Sequence, residues 1–369
     1  MKILAKTLEG LENVLAEEIK ALGGSNIKKL KRAVQYEGDR ALLYRSNSML
    51  RTALRILVVK KEFVAKNEQQ LYRQMYDIPW ESIMKLEDTF AIDSTANSEI
   101  FTHSKYIALK SKDAIADRFS NKFGKRPNVN IHTPTYRLNI HIRGTKVTLS
   151  LDSSGESLHL RGYRMNTVDA PLNEVLAAGL VLLSGWDGTA PLIDPMCGSG
   201  TILIEAAKIV LNQPPQSKQR PFGFKRWKSY NPDLYNSIWS EIDANVIDRE
   251  FSISGSDKSL RCIKVTQQNL QEAKLQDKIT VLKKDFFKLY PAKGATVITN
   301  PPYDERLKEA DINAFYNSIG LKIKKDFIRT NAWIFSGNLD AIKYISLRNV
   351  KEYNLMNGGL PAKFINYAV

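Results

Sequence analysis

The chain has 369 residues, with 54 Lys and Arg against 39 Asp and Glu, a formal charge of +15, and 43% hydrophobic residues. That length and composition are compatible with a globular protein of two or three domains, and the charge favours a polyanionic partner, most simply nucleic acid, over a merely solvated basic surface. Three things are excluded: a disulfide framework or metal spacing, since the two cysteines are Cys197 and Cys262; a membrane span, since the run Val175 to Leu183 is too short; and a visible signal peptide, since the start soon meets Glu9 and Glu12. A reducing cytoplasm fits all three.

Lys2 to Lys6 reads as a short strand. Leu8, Leu11, Leu15, Ile19 and Leu22 share one helical face, with Gly23-Gly24 as a stop. A basic stretch, Lys28 to Arg32, follows. A helix over Arg40 to Met49 and a strand over Leu54 to Val59 complete a small α+β module over residues 1–60. Gln69 to Met84 is helical with a break at Pro79, Thr89 to Asp93 is a strand, and Ser104 to Lys122 is a helix with lysines outward. Leu138, Ile140 and Ile142, then Val147, Leu149 and Leu151, alternate with polar residues around Gly144, the pattern of an antiparallel hairpin. These elements make a second α+β module over residues 61–157.

From residue 158 to 369 the pattern changes. A helix (Leu172 to Leu183) precedes strands alternating with helices, which implies a parallel sheet of α/β type. Lys351 to Met356 and Phe364 to Ala368, around Gly358-Gly359, read as a terminal antiparallel hairpin.

Leu192-Ile-Asp-Pro-Met-Cys-Gly-Ser-Gly-Thr201 is a strand ending in a small-residue loop that opens a helix. Gly198 and Gly200 allow a tight turn and close backbone approach to a ligand, and the helix start offers free amides to a carboxylate or phosphate. No Gly-Lys-Ser/Thr follows, which excludes a Walker loop, and no third glycine completes a dinucleotide fingerprint. A bare turn is the alternative. Asp257 ends the next strand, where an acid can accept from both ribose hydroxyls; a helix cap is its alternative. Asp285 follows the third strand and can accept from an adenine amino group, with Phe286 to cover a ring; a turn residue is its alternative. Acids at the carboxyl ends of successive strands mark a ligand crevice in an open sheet.

After the apolar run Ala295 to Thr299 comes Asn300-Pro301-Pro302-Tyr303. The Asn300 amide oxygen and the Pro301 carbonyl can together receive both hydrogens of an exocyclic NH2. Two prolines stiffen the loop, and Tyr303 can stack on a base. The segment Gln213 to Trp239 interrupts the strand–helix alternation. It interleaves Lys225, Arg226 and Lys228 with Phe222, Phe224 and Trp227. Cations among aromatics suit an RNA track; rings packing the segment onto the domain is the equal alternative. Lys122 and Arg126 belong to a second candidate RNA patch, a solvated helix face being the default there.

Asp194 to Thr201 and Asn300 to Leu307 resemble the cofactor and catalytic motifs of class I S-adenosylmethionine-dependent methyltransferases that act on amino groups. More narrowly, with Leu158-His-Leu-Arg-Gly-Tyr-Arg164 and Ala170-Pro-Leu-Asn-Glu174 as lead-in, the chain resembles the THUMP-domain guanine-N2 RNA methyltransferases nearly end to end. That resemblance implies a Rossmann-like catalytic domain at 158–369, preceded by a ferredoxin-like module and a THUMP module that hold RNA. It implies that Asp194, Met196, Cys197, Gly198 and Gly200 wrap the amino-acid end of S-adenosylmethionine. Asp257 would hold the ribose, Asp285 and Phe286 the adenine, and Asn300, Pro301, Pro302 and Tyr303 the guanine. Asp304 departs from the glycine expected after the tyrosine. The expected reaction is methylation of guanine N2 in 23S ribosomal RNA, with transfer RNA and adenine N6 as alternatives. No metal, membrane or obligate protein partner is expected.

Overall fold

The computed structural model describes residues 1–164, 171–303 and 309–369. Ala170 of the lead-in and Asp304 of the amine-binding loop lie outside them. The N-terminal half begins with β1 (Lys2–Lys6), α1 (Glu12–Ala21), β2 (Ser25–Leu30), β3 (Ala33–Glu37), α2 (Arg40–Met49) and β4 (Arg55–Val64). Asp39 starts α2 by accepting from the Leu42 amide. It continues with α3 (Glu68–Tyr76), α4 (Trp80–Ile83), β5 (Phe90–Asn97), α5 (Ser104–Phe123), β6 (Tyr136–Arg143) and β7 (Lys146–Asp152). Gly124, with φ at 67°, ends α5 in the left-handed region.

All seven strands join one sheet in the order β2-β3-β1-β4-β7-β6-β5. β4 runs through residue 60 and pairs with β1 on one side and β7 on the other. The basic stretch after Gly24 is therefore an edge strand. Its exposed lysines keep the open hydrogen-bonding edge from pairing with other chains. Beneath the sheet lies a single core that includes Ile3, Tyr36, Ile56, Trp80, Phe119, Leu138 and Leu149.

The C-terminal half holds α6 (Glu174–Ser184), β8 (Leu192–Asp194), α7 (Thr201–Val210), α8 (Pro232–Ala244), β9 (Ile253–Asp257), α9 (Leu260–Glu272) and β10 (Thr280–Lys283). Then follow β11 (Thr296–Thr299), α10 (Glu309–Asp326), β12 (Asn331–Ser336), β13 (Asn349–Asn357) and β14 (Leu360–Tyr367). The sheet order is β10-β9-β8-β11-β12-β14-β13. The first five strands are parallel, and the hairpin β13–β14 closes the edge antiparallel to β12. The chain steps outward from β8 to β9 and β10, then returns to β11 on the other flank of β8. That reversal opens a crevice beyond the carboxyl ends of β8 and β11.

The two halves trade core residues. Phe222, Phe224, Trp227, Tyr235, Ile238 and Trp239 of the segment after α7 belong to the N-terminal core. Phe224 stacks on Tyr44 with ring centroids 4.5 Å apart, and Trp227 lies parallel to Tyr136 at 6.2 Å. Tyr44 and Tyr136 accept through their hydroxyls from the Asn231 and Lys228 amides, each at 3.0 Å. Of the two readings open for these aromatics, packing is the one realised. In return Leu8 and Leu11 pack with Val175 and Leu180 in the C-terminal core. A Cβ on Gly179 would lie 2.6 Å from a methyl of Leu11, so any side chain there would displace Leu11.

A buried polar seam runs along α7 at this junction. Arg161 and Glu205 are both fully buried, with Nε and Oε1 3.6 Å apart, and the Tyr163 hydroxyl donates to Glu205 at 3.0 Å. Arg51 donates to the carbonyls of Lys208 and Gln213 at 3.2 and 2.8 Å. A cation thereby lies at the carboxyl, negative-dipole end of α7.

Candidate active site

β8 ends at Asp194, which is 2% exposed. Its Oδ1 accepts from the Met196 amide at 3.2 Å and from Thr299 Oγ1 at 3.0 Å. Burial, opposed by these two bonds, pushes the Asp194 carboxyl up to about 7. The loop then turns through Gly198 (φ 55°) and Gly200 (φ 78°), both left-handed. A Cβ on Gly200 would sit 2.5 Å from the Thr266 side chain. Gly200 is also the N-cap of α7, and no side chain caps the first turn. Its amides are thus offered to an outside acceptor.

Neighbouring strands brace this loop. The Cys197 amide donates to the Ser256 carbonyl at 2.9 Å. Burial pushes the Cys197 thiol far above its usual range, so it packs and does not act as a nucleophile. From α9, Thr266 Oγ1 donates to the Gly198 carbonyl at 2.8 Å and Asn269 Nδ2 to the Ser199 carbonyl at 3.0 Å. Those two residues lie three apart on one helical face, a pairing with meaning only once α9 is seen to lie against the loop.

Asp257, at the end of β9, accepts from the Gly198 amide through Oδ2 at 3.2 Å and from the Ser259 amide through Oδ1 at 2.8 Å. Asp285, just past β10, accepts from the Phe287 amide at 2.8 Å. Phe286 is 4% exposed and packs on Phe327 at 5.4 Å, whereas Phe287 is 38% exposed. The more open ring of the pair is the one the sequence reading did not select.

β11 leads from Thr299 into Asn300-Pro301-Pro302-Tyr303. Pro301 is buried, Pro302 exposed, and Asn300 and Tyr303 half-buried. The Tyr303 hydroxyl donates to Asn300 Oδ1 at 2.5 Å. This loop and the loop after β8 leave adjacent parallel strands and are joined through the Thr299–Asp194 bond. Their convergence at the switch point is the main geometric fact of the site.

The five candidate RNA-binding cations are dispersed and mostly engaged. Lys122 pairs with Glu81 at 2.6 Å and Arg126 with Asp117 at 2.9 Å. Lys225 donates to the Lys218 carbonyl at 2.8 Å and lies over the Tyr235 ring at 4.6 Å. Arg226 Nε donates to the Pro134 carbonyl at 2.8 Å, and Lys228 is exposed. Among the described residues no group of His, Cys, Asp and Glu could hold a metal, and no helix is long and apolar enough to cross a membrane.

The residues present fit S-adenosylmethionine. The uncapped start of α7 and its two left-handed glycines suit the amino-acid end, and Asp257 stands at the next strand for a ribose.

Comparisons with known proteins agree. Residues 161–365 match the family described as RMKL-like, methyltransferase domain; residues 65–152 match the THUMP domain and residues 2–57 the RlmL ferredoxin-like domain. A Synechocystis protein named as a presumptive RNA methyltransferase is 37% identical over 98% of this chain and 95% of its own length. The "Ribosomal RNA large subunit methyltransferase K/L" of Syntrophotalea carbinolica is 34% identical over 100% of this chain and 54% of its own length. The chain spans about half the length of the first curated relatives it matches. The crystal structure of SMU.472, described as a presumptive methyltransferase complexed with SAH, superposes with a TM-score of 0.89 at 27% identity, covering 99% of this chain and 97% of the other. Fold, loop and matches together establish an S-adenosylmethionine-dependent methyltransferase architecture with THUMP and ferredoxin-like modules.

Proposed function

The chain belongs to the RMKL-like methyltransferase family, and from that membership we propose that it methylates the exocyclic N2 of a guanine in RNA, with 23S ribosomal RNA as the favoured substrate. The observation that carries this reading is the convergence of Asn300 to Tyr303 with the loop after Asp194, joined by the Thr299–Asp194 bond. A fixed pair of acceptors beside a cofactor loop suits a planar amine.

When bound, S-adenosylmethionine supplies an electrophilic sulfonium methyl. Asp194, Met196, Cys197, Gly198 and Gly200 hold its amino-acid end, Asp257 its ribose, and Asp285 with Phe286 its adenine. Asn300 Oδ1 and the Pro301 carbonyl accept the two N–H bonds of the guanine amine. That grip aims the nitrogen lone pair out of the base plane and holds it at attack distance. The amine becomes more acidic as its nitrogen acquires the methyl group, so its proton can leave afterwards without a strong base. The target must be unpaired or flipped out, a cost of roughly a few kcal/mol that stacking in the pocket offsets. The N-terminal sheet, carried rigidly through the shared core, presents the RNA in a cytoplasmic setting.

The test is nucleoside mass spectrometry of ribosomal and transfer RNA from cells with and without the gene. Loss of N2-methylguanosine from ribosomal RNA supports the full reading. Loss from transfer RNA keeps the reaction and changes the substrate. Loss of N6-methyladenine in place of either overturns the assignment of the base.

A further inference from the structure

The Tyr303 phenol does not stand free over the crevice. Its hydroxyl donates to Asn300 Oδ1 at 2.5 Å. A Cβ on Gly337 would lie 3.2 Å from the Tyr303 ring, so the ring rests against backbone just past β12.

A phenolic oxygen has two lone pairs and one proton. Here that proton is directed at Asn300. Asn300 must then turn its oxygen, and not its NH2, toward Tyr303. This matters because an asparagine amide is nearly symmetrical in shape and can flip. In the wrong orientation its NH2 would face the NH2 of the base, donor against donor. In the fixed orientation one lone pair of Oδ1 takes the Tyr303 proton and the other remains for the base.

We propose that Tyr303 is a positioning residue that acts through its hydroxyl to lock the orientation of the Asn300 amide. Burial keeps the phenol far above its usual titration range, so it stays a donor across physiological pH. The proposal rests on the amine-grip reading of Asn300.

Tyr303→Phe keeps the ring and any stacking but removes the proton. It is assayed with methyl-labelled S-adenosylmethionine and total RNA from cells lacking the gene, alongside Asn300→Ala. The expected result is a kcat lowered about 10- to 100-fold in Tyr303→Phe, with cofactor Kd and Tm unchanged. Wild-type kcat in Tyr303→Phe overturns the proposal and leaves the tyrosine a stacking or packing role. Loss of cofactor binding in Tyr303→Phe overturns it as well, because the hydroxyl is then structural. Full turnover in Asn300→Ala would instead refute the amine grip itself, which separates the two failures.

Discussion

Asp194 and Thr299 end neighbouring parallel strands, and the Thr299 hydroxyl donates to the Asp194 carboxylate at 3.0 Å inside the core. One bond thus links the cofactor loop to the residue preceding Asn300. Thr299→Val keeps the β-branched shape that suits β11 but leaves a buried carboxylate short of a donor. The expected cost is about 1–3 kcal/mol of stability, together with weaker cofactor binding. Chemical denaturation and calorimetric titration measure the two, and a variant with wild-type values in both would remove this bond from the account.

Asp194 also makes stability depend on pH. Its carboxyl is pushed up to about 7 in the fold, chiefly by burial. Below about 4 it is neutral in folded and unfolded chains alike, so its burial carries no ionic cost. As pH rises from about 4 toward 7 the unfolded chain ionises first, and this group's contribution to stability falls; above 7 the loss is complete. Asp194→Asn has no such dependence. Its Tm relative to wild type should therefore be higher at pH 8 than at pH 5, by on the order of several degrees. An identical difference at both pH values would place the titration of Asp194 elsewhere.

Cofactor binding and transfer separate at two residues. Asn300→Ala should abolish methyl transfer while S-adenosylmethionine affinity stays nearly intact. Asp257→Ala should weaken that affinity, because it removes the proposed ribose acceptor. Isothermal titration with both variants decides: lost binding in the first, or unchanged binding in the second, contradicts the assigned roles.

RNA affinity should fall steeply with salt through counterion release. The slope of log Kd against log salt counts the phosphates neutralised. A flat response would refute the basic-surface argument drawn from the +15 charge.

Trp227 tests the bond between the halves. It is 7% exposed and lies parallel to Tyr136. Trp227→Ala should cost about 3–5 kcal/mol, measured by denaturant unfolding. A much smaller loss would mean that the segment after α7 is only loosely attached.

The α/β half was readable because its signals are local. Glycines at 198 and 200, acids after successive strands and the two prolines after β11 each fall within a few residues of the element they punctuate. β2 was not readable as a strand, because it is an edge strand with almost no buried face to impose alternation. The partners of Phe224 and Trp227 were also hidden: Tyr44 and Tyr136 are distant in sequence, and spacing carries no information about which surface a ring will meet. The same holds for Thr299 and Asp194. What the sequence did not disclose was the set of long-range bonds that fix orientation within a crevice whose location it did disclose.

The exchange of core residues between the halves also sets an order of events during synthesis. The ribosome completes β7 well before it makes Phe222, Phe224 and Trp227, which fill the core under the N-terminal sheet. Until they emerge, Tyr44 and Tyr136 lack their stacking partners. A truncated chain ending after β7 would lack them permanently. Maturation of the N-terminal half therefore waits for a strip of chain encoded within the catalytic half, and neither half can be transplanted without the other's loop.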